Sequence, residues 1–491
     1  MSNFIPTIGL EIHVELKTKT KMFCDSPNNP EELRPNVNVC PVCLGHPGSL
    51  PTINKEAVRS VIKVGMALNG EINPETKFDR KNYFYPDLPK GYQISQYDKP
   101  LVLGGSLNGI TLTRIHLEED TGRLLHSATS NLKPETSNLS SLVDFNRAGV
   151  PLMELVTEPE IKSAEEAVAF GKDLQLILRY LGVSDADMER GQMRVEVNIS
   201  LGKWTKGVWK QGTKVEIKNL NSFGAVAGSI EYEIKRQAEV MKTGKIHQET
   251  RGWDDAKGIT VGQRSKEEAH DYRYFPEPDL PPFETASLGL EEIRISIPEL
   301  PPAKRDRFKR EFGLDDVKAD ILVFDMKLSD FFEAAASELQ SYLPSPETKN
   351  LKPDTSLLYN YLTSDLVGLM KESGAGFSEL KISPEELAHL VSLINQGKIL
   401  SRGAKDILKK MFESGEDPET ILESEGLHTV SDEGELEKVV KEIIAENPAA
   451  VADYKKGKTA SLQFMIGKAM GKLKGKGDPG VLKNILEKRL T

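Results

Sequence analysis

Gly9-Leu10-Glu11-Ile12-His13-Val14-Glu15-Leu16 alternates apolar and polar residues with a period of two. Successive side chains of a strand point to opposite faces, so Leu10, Ile12, Val14 and Leu16 go to one side and Glu11, His13 and Glu15 to the other. Three further stretches repeat the pattern: Arg114-Ile115-His116-Leu117-Glu118-Glu119-Asp120, Arg194-Val195-Glu196-Val197-Asn198-Ile199 and Lys214-Val215-Glu216-Ile217-Lys218. A sheet built from such strands has one chemically loaded face. Carboxylates crowded there repel one another unless a cation or a basic partner offsets them, so a divalent metal and a phosphate chain are the occupants this chemistry suits.

On that face Glu11, Glu118 or Glu119, Glu196 and Glu216 converge, with His13 and His116 beside them. Magnesium takes oxygen ligands and is commonly held by a couple of carboxylates plus substrate phosphates, which leaves His13 to a phosphate or a metal-bound water. Arg194, Lys214 and Lys218 are placed to neutralise phosphoryl charge. One strand of this kind reads more readily as a solvated, salt-bridged face, whereas four together favour a site. Alternation leaves the choice between Glu118 and Glu119 open, because a bulge would exchange them. The chain has no G-x-x-x-x-G-K-[ST] or G-x-G-x-x-G element, so a nucleotide would be held by metal and side chains. It also shows no acyl-transfer nucleophile with a paired base, so any chemistry that requires ammonia would have to receive it from elsewhere.

Two loops, Asp79 to Asp87 and Asp271 to Asp279, interleave aromatics with charges and suit base stacking beside a phosphate as well as they suit a structural turn. Lys81 and Arg273 are the residues they would bring to the site. Cys40-Pro41-Val42-Cys43, with Cys24 upstream, has the spacing of half a zinc site. A fourth ligand would have to be His46 or Asp25, and inert thiols are the alternative.

At 491 residues the chain exceeds one core. The strand-rich, turn-rich part, with helices over 54–69 and 163–181, predicts an α+β domain on a mainly antiparallel sheet over residues 1–292. Prolines from Pro276 to Pro302 mark its end. Beyond them the period becomes helical: Ser383-Pro384-Glu385-Glu386 is a helix start, and an all-α domain over 293–408 and a helical tail over 409–491 are expected. The tail concentrates lysines, from Lys455 to Lys488, in a chain whose net charge is −10. Meeting RNA phosphates is one use for such a tail, a solvated face the other. No apolar run reaches membrane-helix length, the N-terminus has no charged-then-apolar pattern, and three cysteines make no disulfide framework, so a cytoplasmic location is expected.

Longer motifs add a resemblance. Ile8 to Leu16, Phe78-Asp79-Arg80-Lys81-Asn82-Tyr83-Phe84-Tyr85-Pro86-Asp87, Val143 to Leu152, Glu216 to Phe223 and the Asp271 to Asp279 block closely resemble, in order and over essentially the whole chain, the B subunit of the tRNA-dependent aspartyl/glutamyl amidotransferases. The resemblance implies a cradle domain related in fold to glutamine synthetase, followed by helical and tail domains, the last contacting tRNA. It implies a glutamine-dependent carbon–nitrogen ligase activity: Mg-ATP phosphorylates the side-chain carboxylate of Glu-tRNA(Gln), or Asp-tRNA(Asn), and ammonia made by the amidase, or A, subunit displaces the phosphate, with the C subunit wrapping the pair. Carried over by position, the metal and phosphate site resembles Glu11, His13, Glu119 and Glu216, with Glu118 and Glu196 near it and Lys81 beside the phosphates. Two departures stand out. Zinc-bearing members have a second cysteine close after the position of Cys24, where this chain has Asp25-Ser26, and some members have Asp where this chain has Glu196. The rival readings are a ligase acting on a free amino acid and a non-catalytic RNA-binding adaptor.

Overall fold

The computed structural model describes residues 4–29, 31–126, 141–205, 207–265, 272–342, 355–430, 432–473 and 475–490. Asp271 of the second aromatic loop and Lys474 of the tail lie outside them. The chain divides into two compact units, Met1–Pro301 and Pro302–Thr491.

The first unit is organised by an eleven-stranded sheet. The strand Ile5–Glu15 lies in its middle, antiparallel to Pro151–Thr157 on one side and to Met193–Thr205 on the other. Ile110–Glu119 follows beyond the former, and Val215–Leu220 beyond the latter. Among the described residues only Val215–Leu220 and Glu249–Asp254 run parallel in this sheet, and the helix Phe223–Thr243 makes the crossover that a parallel pair requires. The predicted α+β class with a mainly antiparallel sheet is what the chain adopts.

The central strands turn one apolar face inward. Ile8, Leu10, Ile12 and Val14 are at most 1% exposed and form one core with Ile115, Leu117, Met153, Leu155, Val195 and Val197. Helices Lys55–Ala67, Ala164–Tyr180 and Phe223–Thr243 cover that face through residues such as Val61, Phe170 and Ile230. Each starts where a side chain satisfies orphan amides: the carboxamide of Asn54 accepts from the backbone N–H of Glu56 and Ala57, Ser163 from Glu166, and Ser222 from Ala225. With the apolar side sealed by helices, the polar side is left facing outward as a cradle.

The second unit is helical. Ser383 and Glu386 form the reciprocal box that the sequence implies, the hydroxyl accepting from the Glu386 amide at 3.2 Å and the Glu386 carboxylate from the Ser383 amide at 2.7 Å. The boundary expected at 408/409 falls inside helix Ser401–Ser414, whose buried residues Ala404, Ile407, Leu408 and Met411 straddle it. The chain breaks the helix later, at Gly415, with φ of 75°. The boundary expected at 292/293 likewise falls inside the short helix Leu290–Ile295, and Ile297 and Leu300 still pack on the first unit's core. Helices Glu433–Glu446, Ala460–Lys472 and Pro479–Leu490 enclose a small core of their own. Part of the tail's positive charge is neutralised within it, since Lys472 pairs with Glu442 and Glu446, and Arg489 with Glu437. No helix among the described residues is long and apolar enough to cross a membrane.

Candidate functional site

Strand register places the functional side chains in rows across the cradle. His116 stands opposite Glu154, Glu154 opposite His13, and His13 opposite Arg194, a row over four strands. One step along, Glu11 faces Glu196, and beyond it Asn198 faces Glu216. Directly opposed residues lie about 5 Å apart, so these side chains cannot avoid one another. They line a cavity of about 600 Å³ whose walls also include Lys81, Tyr83, Tyr97, Tyr272 and Tyr274.

The distances follow from the register. His13 Nε2 is 3.4 Å from Glu154, 3.8 Å from Glu11 and 4.0 Å from Glu118, and His116 Nε2 is 3.4 Å from Glu154. Lys218 Nζ reaches Glu196 at 2.9 Å and Glu216 at 3.6 Å, while the Thr250 hydroxyl donates to Glu216 at 2.7 Å. Burial alone would strip the proton from His13. Its hydrogen bond to Glu154 and the surrounding carboxylates overcome this and raise its pKa to about 9. Glu154 moves the other way: burial opposes its charge, but His116, His13 and Lys81 hold it below the usual carboxylate range. Burial also opposes the charge of Lys81, yet Glu118, Tyr274 and Glu154 keep that ammonium protonated well above its usual range.

Glu11 is the crowded member, its carboxyl pushed up by burial and then by Glu154 and Glu196. Oxygens of Glu11, Glu196 and Glu216 lie within 4.8 Å of one another, as do the ligand atoms of Glu11, His13 and Glu154 and those of His116, Glu118 and Glu154. His116 Nδ1 and Asn198 Oδ1 are buried without a hydrogen-bond partner among the described residues. An oxygen-rich donor set, repulsion among its carboxylates and unsatisfied polar atoms beside it fit a hard divalent cation.

Glu11, His13, Glu118, Glu196, Glu216, Lys81, Arg194, Lys214 and Lys218 therefore share one cavity. Glu119 does not join them. The strand runs without a bulge from Ile115 to Glu119, so Glu118 faces the cavity, accepting from Ser95 Oγ at 3.0 Å. The Glu119 carboxylate turns away to Lys90 and to the Ile94 amide. Arg273 is not among the lining residues either. Its backbone is left-handed at φ of 44°, its carbonyl accepts from the Asn82 carboxamide, and the flanking Tyr272 and Tyr274 face the cavity instead. Lys81 sits 5.2 Å from the Tyr272 ring centre, while Arg80, pointing to the other side of its strand, pairs with Glu277 through both carboxylate oxygens.

Sequence reasoning missed Glu154, the hub of the cluster. Its strand, Pro151-Leu152-Met153-Glu154-Leu155-Val156-Thr157, is almost entirely apolar. The signal was there in another form, since a lone carboxylate in an apolar run is costly to bury unless it has partners. Asp120 was likewise passed over: it underpins Arg194 at 2.9 Å, with Arg147 at 3.6 Å.

The three thiols are gathered as their spacing implies, with Cys24, Cys40 and Cys43 sulfurs within 4.8 Å of one another. No fourth ligand joins them among the described residues, neither Asp25 nor His46. The ammonium of the fully buried Lys21 lies 3.9 Å from Cys43 Sγ. A hydrogen bond from Cys24, and then the Lys21 charge, draw the Cys43 pKa down to about 5 despite burial. Three thiols with a buried lysine beside them are one ligand short of the closed four-ligand zinc site.

Comparison with known proteins agrees with this geometry. Residues 6–290 match the family model described as the GatB/GatE catalytic domain, and residues 347–490 match that described as the GatB domain. The chain is 45% identical to the B subunit of the aspartyl/glutamyl-tRNA(Asn/Gln) amidotransferase of Dehalococcoides mccartyi strain CBDB1, over 100% of this chain and 99% of the relative. It is 46% identical to the same-named protein of Persephonella marina, over 99% of each. Identity at this level over both full lengths, with both family models matched in order, settles the family: the chain belongs to the aspartyl/glutamyl-tRNA(Asn/Gln) amidotransferase B subunits.

Proposed function

We propose that the cradle activates and amidates the side-chain carboxylate of glutamate esterified to tRNA(Gln), or aspartate esterified to tRNA(Asn), within a complex whose amidase, the A subunit, supplies ammonia and in which the C subunit holds the pair together. The observation that carries this reading is the set of opposed rows: His116, Glu154, His13 and Arg194 in one, Glu11 with Glu196 and Asn198 with Glu216 beside it, all on one cavity. A carboxylate is a poor electrophile. Its oxygen therefore first attacks the γ-phosphorus of ATP, and the bond to the bridging oxygen breaks with the electron pair leaving on ADP. Ammonia nitrogen then attacks the acyl carbon of the acyl phosphate, phosphate leaves with the C–O electrons, and nitrogen sheds a proton.

The chain's residues have defined parts in this. Lys81, Arg194, Lys214 and Lys218 surround the cavity, and their charges hold phosphoryl oxygens as negative charge redistributes. His13, 3.4 Å from Glu154, stands where its ring can offer an N–H to the same oxygens. Glu11, Glu154, Glu196 and Glu216, with Glu118 behind them, would hold Mg²⁺, which would supply positive charge to offset that of the phosphate oxygens.

The test is Glu11→Gln and Glu154→Gln, assayed in the assembled complex for ATP turnover dependent on Glu-tRNA. Each variant is expected to lose about 100-fold or more in kcat with tRNA binding retained. Undiminished turnover in both would leave the adaptor reading in possession of the chain.

A further inference from the structure

Four tyrosines, Tyr83, Tyr97, Tyr272 and Tyr274, line the cradle cavity together. Tyr97 lies flat on Tyr274, with ring centres 4.3 Å apart and planes 12° from parallel. Tyr272 meets Tyr274 edge-on at 6.2 Å and Tyr83 at 5.9 Å. The loops that carry them are fastened to one another. The Asn82 amide donates to the Tyr272 carbonyl at 2.9 Å, Phe275 pairs with Arg80 across two short strands, and the Tyr97 amide donates at 3.1 Å to the buried Asp79.

Tyr97 is the most open of the four rings, 62% exposed although Tyr274 covers one of its faces. A structural turn would bury such a ring as its anchor. An aromatic ring held flat against a second one, with its other face open to a polar cavity, is instead a platform that a flat base extends.

Charge says which part of a substrate belongs on it. In sheet order the strands of Glu118 and Glu216 are four steps apart, roughly 19 Å at about 4.8 Å a step. The tyrosines adjoin the Glu118 end: Ser95, two residues before Tyr97, donates to Glu118 at 3.0 Å. The cations of this end are already answered, since Glu118 and Glu154 act on Lys81, and Arg114 lies 3.5 Å from Glu154. At the other end Lys214 makes no ion pair among the described residues, and oxygens of Glu11, Glu196 and Glu216 gather within 4.8 Å. Phosphates and their cation suit the Lys214 end, which leaves the tyrosine end to an uncharged, flat group. Both substrates of the amidating reaction bring one, an adenine: that of ATP, and that of the 3′-terminal nucleotide to which the amino acid is esterified.

We propose that Tyr97, backed by Tyr274, stacks an adenine base at this end of the cavity. This rests on the tRNA-amidating reading of the cavity. The test uses the assembled complex with wild-type chain, Tyr97→Ala and Tyr97→Phe, and two arms separate the sources. One compares, by fluorescence anisotropy, affinity for intact tRNA with affinity for the same tRNA trimmed of its terminal adenosine. The other measures affinity for Mg-ATP by calorimetry. Tyr97→Ala should lose tenfold or more in one arm, either the advantage of intact over trimmed tRNA or the affinity for ATP, and the arm that falls names the adenine. Tyr97→Phe should restore the loss, because stacking needs the ring and not the hydroxyl, and the thermal midpoint should not move. Wild-type values in both arms for Tyr97→Ala would overturn the inference. So would a loss in Tyr97→Phe equal to that in Tyr97→Ala, which would make the hydroxyl the contact. Because both arms read binding, a wild-type complex that shows these affinities but amidates nothing would defeat the reading of the cavity and still leave the stack decided.

Discussion

Glu15 shows how much one buried carboxyl can reveal. It is 7% exposed, its Oε1 has no hydrogen-bond partner among the described residues, and burial together with Asp120 raises its pKa to about 7 against the pull of Arg147 and Arg194. Between about pH 4.5 and 7 the folded protein thus holds a proton that the unfolded chain has released, and this group's contribution to stability falls as pH rises through that window. Glu15→Gln removes the ionisation. Relative to wild type the variant should gain on the order of 2 kcal/mol in moving from about pH 5 to about pH 8. Equal stability differences at both pH values, read by thermal melting, would show that Glu15 does not titrate there. At this scale the sequence was only partly legible. Glu11, His13, Glu196 and Glu216 announced themselves by alternating with branched apolar residues, but which of Glu118 and Glu119 turns inward depends on an unbroken register. Glu154 does not alternate with other polar residues, so its only signal is that of a lone carboxylate in an apolar run.

Secondary elements were the easier part, because their signals are local. The helices capped by Asn54, Ser163 and Ser383 begin where carboxamide and hydroxyl side chains precede an apolar period. Replacing Ser383 by Ala should therefore cost about 1 kcal/mol, and by Asp much less, since the carboxylate also accepts from the Glu386 amide. Chemical denaturation of the three proteins checks this, and an Asp variant as weak as the Ala one would argue that the hydroxyl has another role. Which strands become neighbours was not legible. Nothing local says that residues 5–15 slot between 151–157 and 193–205, and the site is a product of that pairing. The turn Glu413-Ser414-Gly415-Glu416-Asp417-Pro418 was legible as the end of this helix, whereas a division at 408/409 cuts the continuous apolar stripe from Ala404 to Met411.

For the whole molecule, net charge misleads and its distribution informs. The tail's lysines divide into those already matched, such as Lys472 with Glu442 and Glu446, and Lys455, Lys456 and Lys468, which make no ion pair among the described residues. If the tail meets tRNA, changing the unmatched three to Gln should raise KM for tRNA and flatten its salt dependence, whereas Lys472→Gln should do much less. Equal effects from the two substitutions would mean that general charge, not available charge, sets the response. The central place of the Ile5–Glu15 strand carries a consequence for biosynthesis. This stretch leaves the ribosome long before its partners and must wait with one hydrogen-bonding edge open until residue 157 has emerged and the other until residue 205, because they are encoded so far downstream. Translation interrupted before that point releases a sticky fragment that holds several of the cradle's acids but cannot yet arrange them, which makes the nascent chain a natural client for chaperones.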